Sequence, residues 1–172
     1  MTGRAAMIDP RSLRDVLARF ATGITVVTAC GPDGQPFGLT VNSFAALSLD
    51  PPMVLWSLKR ASPSLAAFTE ARHWAVNILA DDQADLSRRF ATPGIDKFSG
   101  VACRPGEAGT PIIEGCLAWL QCRHAAHHAG GDHMILVGEV IDLAYRDKRP
   151  LVFFGGRYMA AAGLEDGRPS AN

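Results

Sequence analysis

The segment 57–64 combines the residue types of a phosphate-binding site. Ser62 is placed to cap a short helix beginning at Pro63, so that free N–H groups and the positive end of the helix dipole would face the preceding strand. Further donors and positive charge lie beside it at Ser57, Lys59, Arg60 and Ser64. The simpler interpretation is a helix cap next to a solvated basic pair, and this motif alone favours the simpler one.

The segment 40–44 presents several hydrogen-bonding groups at the end of a strand and is followed by an aromatic ring. Its residues are Thr40, Val41, Asn42, Ser43 and Phe44. A turn with an asparagine amide matches a heterocyclic edge that alternates acceptors with one N–H donor, as the pyrimidine ring of a flavin does. The alternative is an Asn-Ser turn that hydrogen-bonds to itself, and alone this segment also favours the alternative.

The third segment is the corner Gly131, Asp132 and His133 at the start of a strand. Glycine lets a ligand approach the backbone, and a histidine here has the chemistry to donate to a nicotinamide carboxamide or a pyrophosphate. A hairpin corner with a surface histidine is the competing interpretation. No Gly-x-Gly-x-x-Gly motif is present, so a nicotinamide nucleotide would be held by a geometry other than the Rossmann one.

Three later residues are candidates for closing the same pocket. Phe90 would supply an aromatic wall, Lys97 a cation, and Tyr158, just after the last predicted strand, a lid. Phe90 also fits the apolar end of a helix, and Tyr158 also fits a core or interface aromatic.

The histidine-rich stretch before this corner is predicted as a connection between two long strands. Together with the corner it has metal-ligand chemistry in a short span: Cys122, His124, His127, His128 and His133. It lacks the paired Cys-x-x-Cys spacing of a zinc site, and Asp132 is its one acidic neighbour. We therefore predict no metal site. The four cysteines are widely and unevenly spaced, which indicates reduced thiols and not disulfides.

Composition limits the class of protein. With 172 residues and 48% apolar content, the chain can bury one substantial core, so we expect a single domain over 1–172, ordered from about 9 to 160 with mobile tails. Lys plus Arg equals Asp plus Glu at 17 each, which favours neither a nucleic-acid nor a membrane partner. The absence of an apolar leader or an 18-residue apolar run predicts a cytoplasmic location.

The elements that must position these segments are mainly strands. A helix is predicted from Asp9 to about Phe20, with its apolar stripe packed on the protein, and short helices over 63–71 and 82–90. The segment 92–111 is predicted as loop. Strands are predicted over 23–29, 37–41, 53–58, 74–79, 116–123, 134–145 and 151–154, the first two as a hairpin. Without regular strand–helix alternation, this pattern favours an antiparallel barrel over a parallel sheet.

Taken in order, these motifs resemble the short-chain flavin reductase family, the reductase components of two-component flavin monooxygenases. The resemblance runs from about Arg14 to Tyr158 and is carried by these segments: 20–28, 38–44, Pro52, 57–64, Phe90, Lys97–Phe98 and 131–133. It implies a mainly β, antiparallel Greek-key split β-barrel with a few short peripheral helices. It further implies a homodimer that binds FMN or FAD, takes hydride from NADH or NADPH, and supplies reduced flavin to a separate flavin-dependent monooxygenase.

The same resemblance implies roles for individual residues. The isoalloxazine and ribityl chain would meet Thr40, Val41, Asn42 and Ser43. The ribityl and phosphate end would be held by Ser57, Leu58, Lys59, Ser62 and Ser64. Phe90 and Lys97 would border the flavin, and His133, beside Asp132, would meet the nicotinamide as the catalytic residue; Arg60 fits the pattern less well. Two other hypotheses stay open: a non-enzymatic flavin- or haem-binding split barrel, and a metal-binding protein built on the histidine-rich stretch.

Overall fold

The computed structural model describes residues 8–161, so the mobile tails predicted from the sequence lie almost wholly outside the described residues. Within that range there are three α-helices: α1 Pro10–Leu17, α2 Leu65–Glu70 and α3 Ala84–Ala91. Short 3₁₀ turns span Asp81–Gln83 and Glu107–Gly109. The strands are β1 Thr22–Gly23, β2 Thr25–Cys30, β3 Pro36–Val41, β4 Ala45–Leu49, β5 Pro52–Lys59, β6 His73–Ile78, β7 Cys103–Pro105, β8 Pro111–Ile113, β9 Ala118–Gly130, β10 His133–Tyr145, β11 Leu151–Phe154 and β12 Arg157–Ala160.

A seven-stranded sheet in the order β3-β2-β6-β9-β10-β5-β4 forms the body of the molecule. Smaller sheets, β1-β11-β12 and β7-β8, lie beside it, and the pairings throughout are antiparallel. The prediction of a mainly β, antiparallel protein is confirmed. None of the helices in the described range combines the length and the apolar character needed to cross a membrane.

Strand β2 shows why the sheet is buried on both faces. Val27 and Ala29 point into a core with the large aromatics of β5, α2 and β6, whereas Ile24 and Val26 point into a second core with Leu79. Successive side chains of a strand face opposite sides, so a strand that is buried on both faces contributes to two cores at once.

The first core is built around Trp56, Phe68 and Trp74. The rings of Trp56 and Phe68 meet edge to face at 4.9 Å, and those of Trp56 and Trp74 at 6.0 Å. At Gly138 an added Cβ would overlap the Trp74 ring, so the absence of a side chain lets β10 lie against this core. The register between β9 and β10 shifts at Val137/Gly138.

Several boundaries differ from the sequence predictions. The histidine-rich stretch is not a connection, because β9 continues through it to Gly130 and pairs with β10 along its whole length. Helix α2 begins at Leu65 and not at Pro63. The exposed edge strand β4 and the short strands β8 and β12 were not predicted, and within 92–111 the short β7 and a 3₁₀ turn interrupt the loop. The missed strands lack the regular apolar alternation by which a half-buried strand is recognised.

Helix α1 has the predicted N-cap but not the predicted packing. The carboxylate of Asp9 accepts hydrogen bonds from the backbone N–H and the hydroxyl of Ser12, at 2.9 and 2.8 Å. The helix ends at Leu17, and none of its residues is buried. The apolar stripe predicted to pack on the protein is therefore exposed in the single chain.

Candidate functional site

A cleft of about 730 Å³ opens where β3 and β5 end, next to α3 and the start of β10. It brings together most of the residues singled out from the sequence: Thr40, Val41, Asn42, Ser43, Ser57, Leu58, Lys59, Ser62, Ser64, Phe90, Lys97 and His133. The remaining wall comes from residues that sequence reasoning missed, all without polar side chains: Leu39, Ala61, Pro63, Ala91, Pro93 and Gly94. Asp132 and Tyr158 do not line it.

Ser43 joins the ends of β3 and β5. Its hydroxyl donates to the carbonyl oxygen of Ser57 and accepts from the Ser57 N–H, both at 3.0 Å. The end of edge strand β3 is thereby tied to a strand near the opposite edge of the seven-stranded sheet. With one donor and one acceptor function already engaged, Ser43 shapes the cleft more than it offers hydrogen bonds to a ligand.

The segment 59–64 supplies hydroxyls and positive charge to the cleft lining. The Ser62 N–H donates to the carbonyl of Lys59 at 2.9 Å, and the Ser62 hydroxyl accepts from the Ser64 N–H at 3.3 Å. Ser62 therefore caps the turn before α2 and not the helix, and α2 has only six residues. The Lys59 ammonium and the serine hydroxyls are therefore the groups that favour a phosphate here, in place of the helix dipole expected from the sequence. Arg60, whose N–H donates to the Asp132 carbonyl, does not line the cleft.

Lys97 places a second ammonium group in the wall. Its Nζ donates to the carbonyl oxygens of Phe90 at 2.8 Å and Gly38 at 3.1 Å. Burial lowers the pKa of this ammonium. Gly38 gives this arrangement room, because a Cβ there would stand 3.0 Å from the Phe90 ring and from the Val27 carbonyl oxygen. One N–H of the ammonium remains free after the two carbonyl bonds.

Acidic residues are absent from the cleft wall as the structure describes it. The lining contains two lysines, one histidine, an asparagine amide and several hydroxyls, without a single aspartate or glutamate. The ion pairs found in residues 8–161 involve neither Lys59 nor Lys97. The electrostatics therefore favour an anionic ligand.

His133 lies at the edge of the cleft and is oriented by its neighbour. Its Nδ1 stands 2.8 Å from Oδ1 of Asp132, and this hydrogen bond lowers the pKa of the Asp132 carboxyl. A charged carboxylate accepts the Nδ1 proton, which leaves Nε2 as the ring nitrogen available to a ligand. Asp132 itself is exposed and acts on the cleft through His133.

Phe90 belongs to the lining of the cleft, whereas Tyr158 lies outside it. Phe90 is fully buried and packs edge to face on Phe98 at 5.0 Å, so its ring belongs to the second core. The Tyr158 hydroxyl is 2.8 Å from Oγ of Ser87 on α3. The carbonyl of the same Ser87 accepts a 2.6 Å hydrogen bond from the hydroxyl of Thr40.

Two histidines of β9, His124 and His127, contact each other. His124 Nε2 and His127 Nδ1 are 3.3 Å apart, and burial together with the His127 charge lowers the pKa of His124. Burial raises the pKa of the Cys122 thiol to about 12. Among residues 8–161, no three His, Cys, Asp or Glu side chains meet in a way that could hold a metal ion.

A smaller cavity of about 400 Å³ contains none of the predicted site residues. It is lined by the turn after β2 and the segment 67–73, including Glu70, Arg72 and His73. Its glutamate makes it less suited to an anion than the larger cleft.

The sequence matches the flavin reductase like domain over residues 17–162. It is 50% identical over 150 residues to "FMN reductase (NADH) SmoA" of Agrobacterium fabrum, covering 87% of this chain and 85% of that protein. It is 45% identical over 157 residues to the "Flavin-dependent monooxygenase, reductase subunit HsaB" of Mycobacterium tuberculosis, covering 90% and 83%.

The fold is also similar to that of a solved reductase. The NADH:FAD oxidoreductase SgcE6 of Streptomyces globisporus, crystallised with NAD and FAD fragments, superposes with a TM-score of 0.84 at 36% identity, covering 95% of this chain and 100% of that one. The predicted fold class and family are confirmed. The match over residues 17–162 and the two relatives show that this chain belongs to the flavin reductase like domain family.

Proposed function

We propose that this protein reduces FMN or FAD at the expense of NADH or NADPH and supplies the reduced flavin to a separate monooxygenase. Family membership supports the reaction, and two relatives bear names that specify NADH. One observation of the structure carries the proposal: a cleft with two ammonium groups, hydroxyls and an amide, and no carboxylate in its lining. Such a cleft suits a ligand with a phosphate and a hydrogen-bonding ring.

The donor set fits a flavin in three parts. Lys59, Ser62 and Ser64 match a phosphate, which prefers cations and hydroxyl donors. Thr40 and Asn42 match the pyrimidine edge. The lining also contains apolar residues, among them Leu39, Val41 and Leu58, which suit the faces of a flat ring.

When bound, the flavin ring supplies the redox chemistry, since it takes a hydride from the nicotinamide. The protein needs no nucleophile. In the proposal Lys59 and the serines bind the phosphate, Lys97 faces the ring, and His133 directs Nε2 at the nicotinamide nucleotide. Asp132 holds the tautomer of His133 and is a positioning residue.

A homodimer is part of the proposal and is supported by apolar surface. Three large apolar residues of α1 are exposed, namely Leu13, Val16 and Leu17, with Phe20 just beyond, and β10 exposes Leu143 and Tyr145 at its end. Apolar side chains grouped in this way favour burial against a partner. Light scattering should report a dimer that Leu17→Glu weakens. A monomer at micromolar concentration would contradict the proposed homodimer.

The cytoplasmic location stays a prediction.

The reaction is tested by mixing purified protein anaerobically with NADH and FMN or FAD and following the loss of flavin absorbance. Steady-state rates with both flavins and both nicotinamides would identify the preferred pair. A rate no higher than the uncatalysed one would overturn the proposal. Flavin binding without NADH oxidation would instead support the non-enzymatic split-barrel hypothesis.

A further inference from the structure

Tyr158 is linked to the cleft without lining it. Its hydroxyl meets Oγ of Ser87 at 2.8 Å, and the carbonyl of Ser87 accepts from Oγ1 of Thr40 at 2.6 Å. Tyr158 lies on β12, Ser87 on α3 and Thr40 on β3. Three separate elements thus meet in one chain of hydrogen bonds that ends at the cleft wall.

This chain is buried at its centre and packed at its Tyr158 end. Ser87 is fully buried, and the ring of Tyr158 packs on Phe153 at 5.6 Å while the guanidinium of Arg88 lies over it at 5.2 Å. A mid-helix serine ordinarily turns its hydroxyl back to a carbonyl of its own helix. Here Ser87 is bonded to Tyr158 instead, which fixes α3 relative to β12.

The bond to Ser87 also decides what Thr40 offers to a ligand. A threonine hydroxyl has one proton and two lone pairs. The proton of Thr40 is donated away from the cleft to the Ser87 carbonyl, so toward the cleft only lone pairs remain. Thr40 can therefore accept a hydrogen bond from a ligand and cannot donate one.

We infer that Tyr158 is a positioning residue: acting through Ser87, it holds Thr40 as an acceptor for the ring N–H of the flavin. The inference rests on the proposed function. An oxidised flavin ring carries a single N–H, at N3, on its pyrimidine edge, and the other polar atoms of that edge are acceptors. An acceptor-only hydroxyl thus selects one atom of the ring.

The test compares the dissociation constants of FMN and N3-methyl-FMN, measured by fluorescence titration, so that no turnover is needed. The wild-type protein should prefer FMN by about fivefold, the effect of one neutral hydrogen bond. Thr40→Val should bring the ratio near one, and Thr40→Ser, which retains the hydroxyl, should restore it. Tyr158→Phe should lower the ratio at least about twofold.

Tyr145→Phe is the matched control, since it removes the hydroxyl of the other tyrosine of this chain, which is 82% exposed and outside the cleft. Its ratio should equal that of the wild type. If Tyr158→Phe folds poorly, the double variant Ser87→Ala/Tyr158→Phe removes both partners and leaves no unpaired buried hydroxyl. It should lower the ratio as well.

The outcomes separate this inference from the proposed function. An unchanged ratio in Tyr158→Phe or its double variant, or an unchanged ratio in Thr40→Val, would overturn the inference while flavin binding stands. A merely structural role for Tyr158 would weaken both ligands equally and leave the ratio intact, which also overturns it. Failure to bind either flavin would overturn both.

Discussion

The cleft and the histidine-rich half of β9 both looked chemically promising in the sequence, and the fold treats them in opposite ways. The cleft collects residues from positions 39–43, 57–64, 90–97 and 133, far apart along the chain. In β9, His124 and His127 lie 3.3 Å apart, but no third metal-ligating side chain joins them among residues 8–161. His127 is exposed, whereas Cys122 is fully buried. Nearness in sequence is therefore poor evidence for a site on a strand.

The largest effect is expected from reversing a charge in the cleft. Lys59→Glu should weaken FMN binding by about tenfold or more, because a phosphate loses a cation and meets a carboxylate. Arg60→Glu makes the same change one residue away, outside the lining, and should have a much smaller effect. Fluorescence titrations of both variants at low and moderate salt measure the difference. Equal losses of FMN affinity in the two variants would mean that only the net charge of the protein matters, and not the position of Lys59 in the cleft.

A smaller effect is expected from replacing His133, and none from replacing an exposed histidine of β9. His133→Ala should raise the KM for NADH about fivefold and that for flavin less than twofold, because Nε2 is assigned to the nicotinamide side. His128→Ala, on an exposed position of β9, should leave both KM values unchanged. A His133 variant that affects both substrates equally would remove the assignment.

Variants of Ser62 and Ser64 should differ in their effects on flavin binding and on stability. Ser62→Ala loses the acceptor for the Ser64 N–H and should cost up to about 1 kcal/mol of unfolding free energy as well as flavin affinity. The Ser64 hydroxyl caps no backbone group of α2, so Ser64→Ala should lower affinity without lowering stability. Urea denaturation beside FMN titration tests both. Equal losses of unfolding free energy in Ser62→Ala and Ser64→Ala would contradict this difference between the two serines.

The smallest effect concerns His124 in β9. Its pKa is lowered below the ordinary 6.5 by burial first and by His127 second. Between the lowered value and 6.5 the unfolded chain binds more protons, so stability falls as the pH drops through this window. His124→Gln should reduce the stability difference between pH 7.5 and 5.5, measured by urea denaturation, and His128→Gln should not. An unchanged difference in His124→Gln would show that another group governs it.

Local patterns predicted the elements well where one face or both are regularly apolar. The hairpin of β2 and β3 follows from a β-branched run, a Gly-Pro-Asp-Gly turn and a return strand, and the structure pairs them from Thr25–Val41 to Cys30–Pro36. The end of α1 and the start of α2 were misplaced by two or three residues, as helix boundaries depend on contacts that the local sequence does not contain. The continuation of β9 depends on pairing with β10, which is a long-range contact.

By itself, the sequence determined the antiparallel β class through its local periodicity. Its ordered motifs, by their resemblance to a known family, determined the family and most of the residues that meet in the cleft. Only the tertiary structure decided which polar groups remain free. Ser43 is engaged by Ser57, Thr40 has its proton fixed by Ser87, and Tyr158 acts from behind α3. The reason is physical: whether a hydroxyl donates, accepts or is already satisfied depends on partners brought to it from distant parts of the chain.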